Sequence, residues 1–302
     1  MSTKISVIVA TYNGEEFILE QLTSILEQTI QVDEVIISDD NSTDNTKEII
    51  LNFIKKHNLS NWKFLVNKGK HGISNNYKNA MKCVTGQILF LCDQDDYWMN
   101  NKVETVINTF DKNPDANCVL SSVEYIDKDD KKLHVNTKLS SNRTHDVSFD
   151  ELLSVCSYLG MSAAFKKEVY LNINEKLYES TSHDWAMFVQ AKLTGKVIFV
   201  GEKLQKYRLH DTNASKISGN SLRDKRLFLI NRQRDTLENT NQTLNLNNRR
   251  KKQCMKYISF LKKREKMIKH KNTLYIVFNL YKYIGLGYTV RNFGADLLST
   301  IG

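Results

Sequence analysis

The sequence predicts an α/β fold: a mixed, mostly parallel sheet flanked by helices, continued by a C-terminal helical extension. Three observations predict it. Up to Phe110, short β-branched runs alternate with stretches of helical periodicity, the signature of a doubly wound sheet. Polar, carboxylate-rich clusters follow the strands, where such sheets bind ligands. From Ser221 onward the chain reads as helices to its end.

The elements follow in order. Ile5 to Ala10 is a β-branched run, as expected of a strand buried on both faces. Glu15 to Gln28 carries Ile18, Leu22, Ile25 and Leu26 at helical spacing. A second buried strand, Glu34 to Ser38, ends in Asp39-Asp40-Asn41-Ser42-Thr43-Asp44. Ser42 or Thr43 can cap the next helix, whose apolar stripe is Ile49, Ile50, Phe53 and Ile54. Trp62 to Val66 is a third strand, Ser74 to Cys83 a third helix and Gln87 to Cys92 a fourth strand. Beyond residue 115 the rhythm changes. Cys118 to Ile126 reads as a strand, Asp127 to Lys132 as a polar hairpin turn, and Asn136 to Asp146 as a mobile loop. Asp184 to Leu193 is helix-like, with Trp185, Phe188, Val189 and Leu193 toward the core, and Lys196 to Val200 is a further strand.

Composition narrows the class. A chain of 302 residues can bury one large core, or an α/β domain with a helical appendage. Its single proline, Pro114, and the lack of a Gly/Ser/Pro linker argue against two separated domains. Five scattered cysteines without a CxxC pair fit a reducing cytoplasm and argue against zinc. The opening MSTKISVIVATYN reads as a strand rather than a signal peptide. No apolar run is long enough to span a membrane, since Leu274 to Val290 is broken by Asn279 and Lys282. The net charge of +9 is local: Arg249 to Lys271 holds 11 of the 43 basic residues and one acid, Glu265. The remainder is nearly neutral, which disfavours a nucleic-acid partner.

The densest chemistry is Asp93-Gln94-Asp95-Asp96, directly after the fourth strand. Carboxylates two residues apart at a strand mouth suit a hard divalent cation held against a diphosphate. The competing reading is an acidic turn that caps the next helix. Neither GxGxxG nor GxxxxGK[ST] occurs, so a dinucleotide fingerprint and a P-loop are disfavoured. With acidic rather than glycine-rich loops, phosphate binding would need a metal.

The stretches SVIVATYNG, ISDDNSTDNT and FLCDQDDYW resemble the nucleotide-sugar domain of inverting glycosyltransferases of family 2, with the GT-A (Rossmann-like) fold. His183-Asp184-Trp185 resembles that family's catalytic-base segment. Tyr207-Arg208-Leu209-His210, with Asn213 and Ser215, resembles the closing segment of its bacterial rhamnosyltransferase-like members. The resemblance covers residues 4–215, and the domain division it implies is a catalytic domain over 1–220 and a basic, amphipathic helical region over 221–302.

The resemblance implies roles. Thr11 and Tyr12 would line the pyrimidine and ribose pocket. Asp40 would accept the base N3–H, which selects uracil or thymine because cytosine N3 carries no proton. For Asp39 and Asp40 the alternative is helix capping. Asp95 would ligate Mg2+ or Mn2+ directly; Asp93 would reach the ribose or the metal through water, with Gln94 beside the nucleotide sugar, while Asp96 caps the next helix. Asp184 would be the general base, the alternative being a helix cap. The family often has an acid just before this position, where this chain has His183. Arg208 and His210 would approach the diphosphate from a flexible segment, His210 also completing the metal shell, or both are plain surface residues. Asn67, Gly72, Asn76 and Lys78 would shape the pocket. Gly160-Met161-Ser162 would line the acceptor site or form a buried turn.

The implied reaction is sugar transfer to a hydroxyl of a lipid-linked cell-surface polysaccharide precursor. The donor is dTDP-β-L-rhamnose or, alternatively, UDP-glucose or UDP-galactose. The expected location is the cytoplasmic face of the cell membrane. The basic segment from Arg249, followed by the aromatic-rich Leu274 to Tyr281, reads as an anchor for an anionic membrane surface or as a homodimer interface. Readings from other classes are a nucleotidyltransferase and a non-catalytic protein that binds sugar nucleotides or membranes.

Overall fold

The computed structural model describes residues 3–135, 137–155, 158–171, 182–210, 221–286, 288 and 290–301. Among these are nine strands: β1 (Ile5–Thr11), β2 (Glu34–Asp39), β3 (Trp62–Val66), β4 (Ile88–Asp93), β5 (Tyr97–Trp98), β6 (Ala116–Ile126), β7 (His145–Asp146), β8 (Ala163–Lys166) and β9 (Lys196–Arg208). They form one mixed sheet in the order β3-β2-β1-β4-β8-β6-β9-β5, with β7 paired to β9. The β3-β2-β1-β4 portion is parallel, and β8 runs antiparallel between β4 and β6. The expected mixed, mostly parallel α/β class is the observed one.

The buried β-branched runs explain this half of the sheet. β1 is buried along its whole length. Its Val7 and Val9, with Val35, Ile37 and Phe90 of the neighbouring strands, pack against three helices: α1 (Ile18–Leu26), α2 (Thr46–Lys56) and α4 (Lys102–Lys112). These helices contribute Ile18, Leu22 and Ile25, then Ile50 and Phe53, then Val103, Val106 and Phe110. Each such side chain removed from water contributes ~1.5–3 kcal/mol. The opposite face, where strand alternation points Ile8 and Ile36, is covered by α3 (Ile73–Met81), which packs on β1 and β2. Chain order leaves β1 toward β2 and β3, then returns to β4 on its other side. Ligands bind at such a switch point, outside the carboxyl ends of the strands.

Four sequence expectations change. The Lys196 to Val200 strand continues to Arg208, because Gly201 and Glu202 form a bulge rather than an end: Ser121 pairs with Val200 and Ser122 with Lys203. The 136–146 stretch, outside Asn136, holds a short 3-10 turn at Lys138–Ser140 and strand β7. The helix His183–Thr194 is buried around nearly its whole circumference rather than along one stripe, with the polar His183, Gln190 and Lys192 among its buried residues. Asp96 does not cap α4, since Asn101 occupies that position.

The chain divides into two compact units, one of 1–146, 158–171 and 195–211, the other of 147–157, 172–194 and 212–302. The first holds the sheet. The second is helical, and His183–Thr194 belongs to it because it packs on Leu222–Thr243. That helix opens with a capping box in which Ser221 Oγ accepts from Asp224 N at 3.1 Å and Asp224 answers to Ser221 N. Within this unit the buried Asp296 accepts from Arg264 Nε at 2.7 Å, Arg226 Nε at 2.8 Å and Tyr283 Oη at 2.6 Å. Burial, the largest influence, would raise the Asp296 carboxyl, but Arg264, Arg226 and the Tyr283 hydroxyl together outweigh it and hold the group below its ordinary value.

Candidate active site

Register brings the polar strand ends together. Thr11 pairs with Asp39 across β1 and β2, and Ala10 pairs with Asp93 across β1 and β4. The turn after β4 is then tied down on every side. Asp93 Oδ1 lies 2.8 Å from the hydroxyl of Tyr77, a buried residue of α3 that also reaches the Cys92 carbonyl. The Gln94 carboxamide accepts from Tyr12 N at 2.8 Å and donates to Tyr12 O at 2.9 Å. A Cβ on Gly14 would overlap that carboxamide and push it aside. Asp95 Oδ2 faces His210 Nε2 at 2.8 Å. Asp96 is buried, and its Oδ1 accepts from Arg208 N at 3.2 Å. Burial, then the neighbouring Asp95 and Asp93 charges, push the Asp96 carboxyl well above its ordinary value.

The second cluster surrounds Asp40. Its Oδ1 accepts from Asn67 Nδ2 at 2.8 Å and meets His71 Nδ1 at 3.2 Å, while Oδ2 accepts from Gly72 N at 2.7 Å. Gly72 sits at φ 109° as it opens α3, a conformation that L side chains rarely adopt. Asn76 is buried and donates to Thr11 O at 3.1 Å and Ser38 O at 2.7 Å, so it fastens α3 to the ends of β1 and β2. The Thr11 hydroxyl is turned to Asp39 Oδ1 at 2.9 Å, and Asp39 in turn accepts from Ser42 N at 2.8 Å. Asp39 therefore serves the loop. The Tyr12 ring is exposed.

Arg208 stands differently from its expectation on a flexible segment. It closes β9 and is 2% exposed. Its Nη2 donates to Glu20 Oε2 at 2.7 Å, Nε to the Asp95 carbonyl at 3.1 Å and Nη1 to the Lys128 carbonyl at 3.3 Å. Its guanidinium lies over the Phe17 ring at 4.6 Å, and the same ring meets His210 at 5.4 Å. Asn213 and Ser215 lie outside the described residues.

Asp184 belongs to the second compact unit, in the first turn of its helix, where Oδ1 accepts from Trp185 N at 2.7 Å. Burial lowers the pKa of the adjacent His183 against the opposing pull of Asp184, so the imidazole is neutral at pH 7.

Sequence reasoning missed several residues of the site. Tyr77 belongs to the buried stripe of α3, which periodicity could have marked. Phe17 and Glu20 carry no local signal for their roles. Lys102 is fully buried: its Nζ donates to the Met161 carbonyl at 3.1 Å and to Gln205, and lies 4.1 Å from the Trp98 ring centre. Burial pushes it down to about 7. Its bond to Met161 belongs to the buried turn at Gly160–Ser162.

Among the described residues no three of His, Cys, Asp and Glu stand together as a preformed metal cage. Asp95 and His210 supply an oxygen and a nitrogen donor side by side. The Asp95 carboxylate fits a cation such as Mg2+ or Mn2+, which takes one or two carboxylates together with substrate phosphates and waters.

A family model described as Glycosyl transferase family 2 matches residues 6–173. The dTDP-rhamnosyl transferase RfbG of Shigella flexneri is 32% identical over 212 residues, covering 68% of this chain and 72% of that protein. The uncharacterized protein Rv1520 of Mycobacterium tuberculosis is 28% identical over 208 residues, and the match spans only 58% of its length. The UDP-Glc:alpha-D-GlcNAc-diphosphoundecaprenol beta-1,3-glucosyltransferase WfgD of Escherichia coli is 34% identical over 109 residues, 36% of this chain and 42% of WfgD. Among solved structures, S. aureus TarS 1-349 with UDP-GlcNAc superposes with a TM-score of 0.66 at 16% identity, covering 98% of this chain and 81% of that one. The mannosyltransferase PcManGT of Pyrobaculum calidifontis, with GDP-Man and Mn2+, gives 0.59 at 15% identity over 100% and 87%. With its parallel β3-β2-β1-β4 half and the family model spanning more than half of its length, this chain belongs to glycosyl transferase family 2 and carries the GT-A fold.

Proposed function

We propose that this protein is an inverting, metal-dependent glycosyltransferase that moves L-rhamnose from dTDP-β-L-rhamnose onto a hydroxyl of a lipid-linked polysaccharide precursor. The observation that carries the reading is the Asp95–His210 pair at the mouth of β4, just after Asp93, together with a buried Asp40 just past the end of β2, held by Asn67 and Gly72. Asp40 with Thr11 and Tyr12 receives the pyrimidine nucleoside, and Asn76 holds that pocket's wall. Asp95 and His210, with Asp93, would hold Mg2+ or Mn2+. When bound, the cation stabilises negative charge on the departing nucleoside diphosphate. Asp184 takes the proton of the acceptor hydroxyl as its oxygen bonds to the anomeric carbon and the bond to the diphosphate breaks. One in-line displacement inverts the centre and needs no protein nucleophile.

The likeness to RfbG supports the dTDP-rhamnose donor, and the Mn2+ of PcManGT supports a divalent cation. A UDP-glucose or UDP-galactose donor is the second reading, favoured by the likeness to WfgD, whose name also supports a diphosphate-linked lipid acceptor. The proposed setting is the cytoplasmic membrane face. No helix among the described residues is long and apolar enough to cross a bilayer. Instead, Leu274 and Phe278 of the short helix Thr273–Phe278, and Tyr281 and Ile284 of the helix Leu280–Ile284, are 72%, 75%, 66% and 64% exposed, next in the chain to the lysine-rich helix Asn248–Lys269. Such exposed apolar side chains beside a basic segment suit an anionic membrane surface; a second copy of the chain is the competing occupant.

Calorimetry of dTDP and UDP, each with and without Mn2+, tests the reading. Metal-dependent binding that disappears in Asp95→Ala is the expected result, and tighter binding of dTDP would favour rhamnose. No binding of either nucleotide with Mn2+ present would overturn it.

A further inference from the structure

We infer that Glu20 and Arg208 form a positioning latch that presets His210 against Asp95, with Phe17 as its platform. The inference rests on the proposed function in that the pair being preset is the cation site. Every link lies in the first compact unit. Arg208 ends β9, and its neighbour Leu209 donates its N–H to the Ile126 carbonyl at 2.9 Å. The path of the chain into His210 is therefore decided at Arg208.

Arg208 is fastened by both its backbone and its side chain. Its N–H donates to Asp96 Oδ1, Nε donates to the Asp95 carbonyl and Nη1 to the Lys128 carbonyl. One side chain thus grips the carboxylate turn and the segment after β6 together. The planar guanidinium makes this possible, because its donors diverge in one rigid fork that an ammonium cannot copy. A buried cation needs a compensating charge, and Glu20 from α1 supplies it at 2.7 Å. Glu20 itself is 43% exposed, so it can be changed without opening the core. Phe17, at the start of the same helix, is shared: the Arg208 cation lies over its ring, and His210 packs against it. The helix after β1 thereby sets the angle at which the closing strand delivers its histidine.

Arg208 is on this account a positioning residue rather than a diphosphate ligand. Loss of an outer partner that orients a metal ligand costs about 10–100-fold in metal affinity. Glu20→Gln, which keeps the size and removes the charge, is expected to weaken the Mn2+-dependent part of nucleotide binding by roughly tenfold. Glu20→Asp, which keeps the charge, should recover part of it. Nucleotide binding without metal should stay near wild type in both, while the thermal midpoint falls in Glu20→Gln, where the buried Arg208 loses its compensating charge, and less in Glu20→Asp.

The experiment is calorimetry of dTDP and UDP, with and without Mn2+, on wild type and the two Glu20 variants, with a melting curve for each. A selective loss of the Mn2+ increment in Glu20→Gln, eased in Glu20→Asp, supports the latch. An unchanged increment in Glu20→Gln overturns the latch and leaves the proposed function standing. A drop in midpoint with equal loss of metal-free and metal-dependent binding also overturns it, since the contact would then be structural. No Mn2+-dependent binding in the wild type overturns the proposed function, and the latch with it.

Discussion

The carboxamide of Gln94 is paired to the backbone of Tyr12 through two hydrogen bonds, at 2.8 and 2.9 Å. The loop after β1 and the carboxylate turn after β4 are thereby one body, although 82 residues separate them. Gln94, expected beside the nucleotide sugar, fastens these two loops together. Each of these bonds contributes ~0.5–1.5 kcal/mol. Gln94→Ala is therefore expected to weaken nucleotide binding by about tenfold. Gly14→Ala, which forces the same carboxamide aside, should do likewise, and the double variant should be little worse than either alone. Calorimetry on the three variants checks this; fully additive losses would refute the shared contact.

Tyr77 is expected to act through Asp93. Tyr77→Phe removes a buried hydroxyl that lies 2.8 Å from both Asp93 Oδ1 and the Cys92 carbonyl. Stability should fall by ~1–3 kcal/mol, and Mn2+-dependent nucleotide binding should weaken while metal-free binding persists. Denaturant titration and calorimetry read the two effects separately.

Asp184→Asn is expected to abolish sugar transfer and to spare donor binding, because the amide cannot take the acceptor proton. The change keeps a side-chain oxygen for the Trp185 N–H, so the helix start should survive. Transfer measured with radiolabelled donor, beside calorimetry of the nucleotide, separates a base from a cap. Undiminished transfer would remove Asp184 from the mechanism.

Asp296 makes the helical unit acid-sensitive. Against burial, the largest influence, Arg264, Arg226 and the Tyr283 hydroxyl together hold its carboxyl below its ordinary 3.8. The sign follows: the stabilisation is complete above 3.8 and is lost as pH falls through the lower folded-state value. Asp296→Asn leaves two arginines facing a neutral group and is expected to cost ~3–5 kcal/mol near pH 7. The deficit relative to wild type should shrink in strongly acidic buffer. Melting curves of both proteins across pH 2–7 would show it, at roughly half-unit steps.

Phe278→Glu is expected to reduce sedimentation with vesicles containing anionic phosphatidylglycerol, and to leave nucleotide binding unchanged. Equal sedimentation of both proteins would direct attention to a second copy of the chain, which light scattering would detect.

The sequence by itself determined the strand–helix order up to β4 and the clustering of polar residues at the strand ends. Those features are local: β-branched runs such as Ile5 to Ala10 and stripes such as Ile18, Leu22 and Ile25 declare their period within a few residues. It also marked Asp93, Asp95 and His210 as candidates through their motifs. Tertiary structure alone decided which groups meet. Arg208 finds Glu20 across 188 positions and His210 finds Asp95 across 115, and no periodicity encodes such pairings. The course of β9 beyond Gly201 was hidden for a related reason. A bulge there mimics a turn in the sequence, and only pairing with β6 shows that the strand continues to Arg208. Burial of Arg208, Lys102 and Asp96 was illegible in the same way, because charged side chains read as surface until the fold supplies their partners.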